Sequence, residues 1–198
     1  MTKIFLKAKH WQLFLLSFGI PMILQVVLMA YMFMKTIGNH NVEDSMSFMF
    51  NYMIIVFVVV ILFSSIIHAW HWSVVMGLQS KVPKDIKMKL GRFKVFFFIP
   101  LVYILLLPVF VFTMIRMATT AGEPDFAFFA PMILIIPLHL FSMFCIFHTI
   151  YFIAKTLKTV ELQREADFSD FVGEFFMVWF YPVGVWFLQP KINKMIEA

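Results

Sequence analysis

Two pairs of residues in this 198-residue chain have the types and spacing for metal or haem chemistry. His68 and His71 stand three apart, as do Cys145 and His148, and on a helix that spacing puts each pair on one face. Imidazoles and a thiol can hold Zn²⁺ or Cu⁺, and two facing imidazoles can ligate haem iron. The bland reading is strong. Trp70 and Trp72 flank His71 and are of the type that gathers at membrane interfaces, where an imidazole satisfies itself with water or headgroups. No CxxC or HExxH motif adds specificity. The expectation is therefore no cofactor, with a metal or haem held by His68, His71, Cys145 and His148 as the alternative.

His139, Ser142 and Thr149 share one side of a helical wheel with Cys145 and His148. Such a polar arc predicts a face turned into a helix bundle and closed by interhelical hydrogen bonds; a polar path or cavity is the sharper option. Glu174 is the one acid inside an apolar segment, at a depth that suits a structural role. Ser169 is the expected cap of the helix that carries it, with Asp170 in the first turn. No phosphate-binding loop, nucleophile elbow, dinucleotide fingerprint or metalloprotease helix occurs. No residue is named as catalytic, and the chain is expected not to be an enzyme.

The elements that position these residues follow from composition. The chain is 62% hydrophobic and only 14% charged, against about 45–50% and about 25% in soluble domains. One buried core cannot absorb that excess, so a soluble enzyme, a disordered tail and a nucleic-acid module are excluded. Four stretches reach the roughly 20 apolar residues of a spanning helix: about 11–34, 48–75, 96–115 and 126–153. None carries an acid, and the basic start, Lys3, Lys7 and Lys9, precedes a run too long for a signal peptide, read as a retained first span. The expected fold is an all-α integral membrane bundle, one multi-pass domain over residues 1–198. Segment 171–188 is ambiguous, because Pro182 and Gly184 interrupt it. A re-entrant or interfacial helical segment is favoured over a kinked fifth span.

Charge orients the bundle. With the N-terminus in the cytoplasm, twelve basic residues fall at inner positions and two, Lys35 and Arg116, at outer ones. The second loop is the densest, with Lys81, Lys84, Lys87, Lys89, Arg92 and Lys94. Val82, Ile86, Leu90, Phe93 and Phe97 recur at helical spacing through it, predicting a basic amphipathic helix on the inner leaflet, with Pro83 in its first turn. Lys84, Lys87, Lys89, Arg92 and Lys94 would then contact anionic lipid. The fourth span is expected to continue as a solvated helix, with opposite charges paired at Lys158–Glu161 and Glu161–Arg164.

The C-terminal stretch AKTLKTVELQREADFSDFVGEFFMVWFYPVGVWFLQPKINKM resembles the ending of an uncharacterised family of small polytopic bacterial inner-membrane proteins. KVPKDIKMKLGRFKVFFFIP and HWQLFLLSFGIP are similar to the same family. The resemblance implies a bacterial cytoplasmic membrane and attaches no activity. The leading expectation is a non-enzymatic accessory or scaffold subunit of an envelope transport or assembly complex. Its partners would be the lipid bilayer and a membrane protein or a second copy, and not nucleic acid. A small oligomeric transporter or channel is the alternative, with prolines marking broken helices; a His-based metal or haem protein is the other.

Overall fold

A computed structural model describes residues 2–38, 42–120 and 126–197. In chain order the helices are α1 (Thr2–Lys7), α2 (His10–Phe14), α3 (Ile20–Gly38), α4 (Val42–Leu78), α5 (Leu90–Thr120), α6 (Phe126–Leu162), α7 (Phe168–Trp179) and α8 (Tyr181–Glu197). A π-turn over Leu15–Gly19 joins α2 to α3, and no strand occurs among the described residues. Residues 39–41 and 121–125, at the expected outer loops, lie outside the described residues.

Four helical stretches are long and apolar enough to cross a membrane: His10–Lys35, Phe48–Lys81, Leu90–Ala118 and Pro131–Leu162. They match the four expected spans and overrun most of their ends. Only 6–22% of the most apolar part of each is buried, so the remaining apolar surface needs lipid as its solvent. The chain is an all-α, multi-pass membrane protein. α4 and α6 have 37 residues each, about 55 Å at 1.5 Å per residue, and must project beyond a hydrocarbon core about 30 Å thick.

The chain divides into two compact units, one of Met1–Lys84 with Ile153–Ala198 and the other of Asp85–Phe152. In the first, α1 lies on the end of α4, where Leu6 covers Gly77; a Cβ at Gly77 would meet the Leu6 side chain. α2 and α1 also pack on α8, and α7 packs on α8. In the second, Phe93 stacks on Phe152 with ring centroids 5.0 Å apart and leans on Phe97 at 5.6 Å.

The basic amphipathic helix expected across Val82–Phe97 forms only from Leu90 onward. A short 3₁₀ turn, Gln79–Lys81, ends α4, and Val82 turns extended at φ −70°, ψ 132°. Pro83 explains this, because its ring drives the preceding residue out of the α region. Residues 82–89 are irregular, while Phe93 and Phe97, the end of the predicted stripe, are buried. The prolines do not break the spans: α5 runs through Pro100 and Pro108, and α6 through Pro131 and Pro137.

Two further expectations change at the end of α6. The helix stops at Leu162, and Gln163 takes the left-handed conformation (φ 52°) that closes helices, its amide donating to the Val160 carbonyl at 2.7 Å. Arg164 is thereby turned away from Glu161 and forms a two-pronged pair with Asp170, at 2.9 and 3.0 Å. The cap of α7 is Asp167 rather than Ser169: its N–H donates to the Asp170 carboxylate at 3.0 Å, closing the first turn.

The ambiguous segment 171–188 is not one helix. α7 has 12 residues, about 18 Å, too short to cross, and ends at Phe180 (φ −87°, ψ 54°). Pro182 then sits in the first turn of α8, where a missing N–H costs nothing. α8 folds back along α7 so closely that a Cβ at Gly184 would overlap the Met177 carbonyl. Both helices return to the same end of α6, since Glu174 of α7 and Lys191 of α8 join there. This is a helical hairpin, the re-entrant or interfacial geometry rather than a fifth span.

Candidate functional site

The most elaborate polar construction gathers where α1, α4, α6, α7 and α8 end together in the first unit. Gln189 is fully buried. Its carbonyl accepts from Trp70 Nε1 at 2.8 Å, and its amide lies within reach of the carbonyls of Phe5 (3.0 Å), Leu6 (3.3 Å) and Ala8 (3.0 Å). It also donates to Asn193 Oδ1 at 2.8 Å, while Asn193 donates to the Ala8 carbonyl at 3.3 Å. The last carbonyls of a helix have no partners within it, and here two side chains one turn apart on α8 supply them to α1. Trp70, expected at a lipid interface, is instead fully buried and anchors this network from α4. Sequence reasoning missed Gln189 and Asn193. Their signal was present as two amides four residues apart in a mostly apolar helix.

A second cluster ties the hairpin to α6. Glu174, only 8% exposed, pairs with Lys191 at 2.8 Å and Lys158 at 3.4 Å. Glu161 joins both lysines, at 3.0 Å to Lys158 and 2.5 Å to Lys191. Burial pushes the Glu174 carboxyl up, but the Lys191 hydrogen bond and the charges of Lys191 and Lys158 outweigh it and hold it below the ordinary carboxylate range. Beside this cluster, Thr159 Oγ1 accepts the Ala166 N–H at 3.4 Å, and Ala154, Ala166 and Phe171 form a small buried core. The exposed Lys155–Glu165 pair at 2.8 Å and the Arg164–Asp170 fork fix the connection into α7. The fork holds the Asp170 carboxyl below its usual range.

The predicted metal set is not assembled as one. Among the described residues no three His, Cys, Asp or Glu side chains group to hold a metal ion. In the first unit, His68 and His71 are adjacent, ring centroids 6.1 Å apart, and His68 Nδ1 lies 2.8 Å from the Ser64 carbonyl. His71 is buried against Trp70 and Tyr181, and its Nε2 has no hydrogen-bond partner among the described residues. In the second unit, His148 packs edge-on against Phe96 at 4.4 Å, and Cys145 is fully buried.

The polar arc of α6 divides. Ser142 and Thr149 are buried with Cys145, and Thr149 Oγ1 donates to the Cys145 carbonyl at 2.9 Å. His139, expected in the interior, is exposed, although its Nδ1 lies 2.8 Å from the Tyr103 hydroxyl. A span can expose such a group to lipid when a neighbouring helix supplies the partner. The basic residues divide too. Lys84 belongs to the first unit, whereas Lys87, Lys89, Arg92 and Lys94 are exposed side chains of the second.

No family model matches the chain, and no curated protein or solved structure matches it either.

Proposed function

We propose that this chain is a non-enzymatic accessory or scaffold subunit of an envelope transport or assembly complex. It would sit in a bacterial cytoplasmic membrane with its N-terminus inside. The carrying observation is the built surface at the shared end of α6, α7 and α8. Two glutamates and two lysines brace it, the Arg164–Asp170 fork stiffens its connection, and an aromatic flank emerges beside it. Phe168, Phe176, Trp179, Phe180 and Phe187 are all between 46% and 64% exposed. Rigid, mixed polar and aromatic surfaces suit lasting protein contacts, because little ordering entropy is lost on binding. The N-inside orientation rests on the sorting of basic residues, and the bacterial membrane on the resemblance of the C-terminal stretch. Lys84, Lys87, Lys89, Arg92 and Lys94 face anionic inner-leaflet lipid in this reading.

Affinity purification of the full chain in a mild detergent tests the proposal. A stoichiometric membrane partner should be retained, and Glu165→Lys, at an exposed position of the surface, should weaken it. Recovery of the chain alone, at the mass of one copy and with nothing retained, would overturn it. A transporter or channel is the second reading, and the buried Ser142–Thr149 face of α6 is the observation in its favour. Solute flux through proteoliposomes holding the chain alone would establish that reading.

A further inference from the structure

Where α4 ends, Lys81 and Lys84 face Lys191 and Lys194 of α8 across a groove of about 720 Å³, with Gln163 at its wall and Met195 at its edge. The volume falls within the roughly 300–1,000 Å³ of small-ligand sites. Its walls are held in place: the Gln163 amide donates to the Lys81 carbonyl at 3.4 Å, and Pro83 stiffens the segment between the two lysines. Glu161, which also lines the groove, and Glu174 neutralise and orient Lys191, so the lining keeps a cationic excess in Lys81, Lys84 and Lys194. Among the described residues the ammonium groups of Lys81, Lys84 and Lys194 have no carboxylate partner. Three unpaired ammoniums around one groove repel one another, and a compact polyanion relieves that repulsion.

We propose that this groove binds a multiply charged phosphate group. Lysine serves as a point-charge binder of phosphate oxygens, and the Gln163 amide, which donates to the Lys81 and Val160 carbonyls, holds the groove's wall in place. Depth bears on the source. Lys81 closes the candidate span Phe48–Lys81, and Gln163 directly follows the candidate span Pro131–Leu162, which favours a phospholipid headgroup as the source. Met195 and Val82 at its margin are apolar, as a glycerol or acyl neighbour requires.

Binding to the full chain in a neutral detergent tests this, with cardiolipin, phosphatidylglycerol, phosphatidylcholine and inorganic pyrophosphate as probes. Cardiolipin should bind, phosphatidylcholine should not, and added salt should weaken the interaction. Neutralising Lys81, Lys84 and Lys194 to Gln should lower cardiolipin affinity about tenfold or more. The control variant carrying Lys3→Gln, Lys7→Gln and Lys9→Gln should stay within about twofold, because those exposed side chains do not line the groove. Competition by pyrophosphate would identify a soluble phosphate as an alternative source; lack of competition would identify the lipid headgroup. Equal losses in the two variants, or equal binding of phosphatidylcholine, would overturn the proposal. Lys84→Gln alone, at an exposed position, should weaken binding about threefold and serves if the triple variant is misfolded.

Discussion

In Met1–Lys84 with Ile153–Ala198, buried polar side chains tie together segments far apart in sequence. Gln189 reaches α1 across more than 180 residues, and Glu174 gathers lysines from α6 and α8. In Asp85–Phe152 the aromatic contacts include Phe93 on Phe152 and Phe96 on His148, and Tyr103 makes a polar contact with His139. The difference follows from the solvent. Inside a bilayer, lipid tails are as apolar as leucine, so apolar burial does not select one helix arrangement over another. Gln189, Trp70 and Glu174 are shut away from water inside the protein, where an unpaired polar group is costly, so directional polar contacts can choose a unique fold.

Substitutions can break or sharpen that contrast. The largest effect is expected at Gly184, where a side chain would overlap the Met177 carbonyl and force α7 from α8. Gly184→Val should cost more than about 3 kcal/mol, read as a lost cooperative thermal transition in detergent. A variant melting like the native chain would show that the hairpin is not closely packed. Next comes Gln189→Leu, which strands Trp70 Nε1 and the carbonyls ending α1. It should cost about 3 kcal/mol and make the first ten residues sensitive to protease, while the Asp85–Phe152 unit keeps its protection.

Glu174→Gln should cost about 1–2 kcal/mol at pH 7. Glu174 has a folded pKa held below its unfolded value. Its stabilisation is therefore present above the ordinary carboxylate range near pH 4 and is lost as pH falls through the folded value. The melting difference between native and variant chains should close below about pH 4. A difference that persists there would mean that the carboxylate charge is not what braces the hairpin. The smallest effect is expected at Tyr103→Phe in the other unit, about 0.6 kcal/mol, the usual size of an interhelical hydrogen bond in lipid. A loss rivalling that of Gln189→Leu would erase the distinction between the two regions.

The span positions and their all-α character were legible because hydropathy over 20 residues is a property of composition and needs no partner. The hairpin was half legible: Pro182 and Gly184 announced a break, but the fit of Gly184 against Met177 depends on the fold. Of the helix expected over Val82–Phe97, Pro83 accounts for the extended Val82, while the irregular course of residues 84–89 has no such local mark. The cap at Asp167 and the swing of Arg164 to Asp170 escaped because both depend on α6 stopping at Gln163, one left-handed residue that no motif marks.

The sequence by itself determined that this chain is a helical membrane protein with four spans and a proline-interrupted ending, because the bilayer reads length and apolarity directly. Only the tertiary structure decided that Gln189 and Trp70 hold the N-terminal helix, that Glu174 braces a hairpin, and that four lysines share one groove. Those outcomes rest on the direction and reach of single polar side chains between distant segments, and spacing along the chain does not encode either.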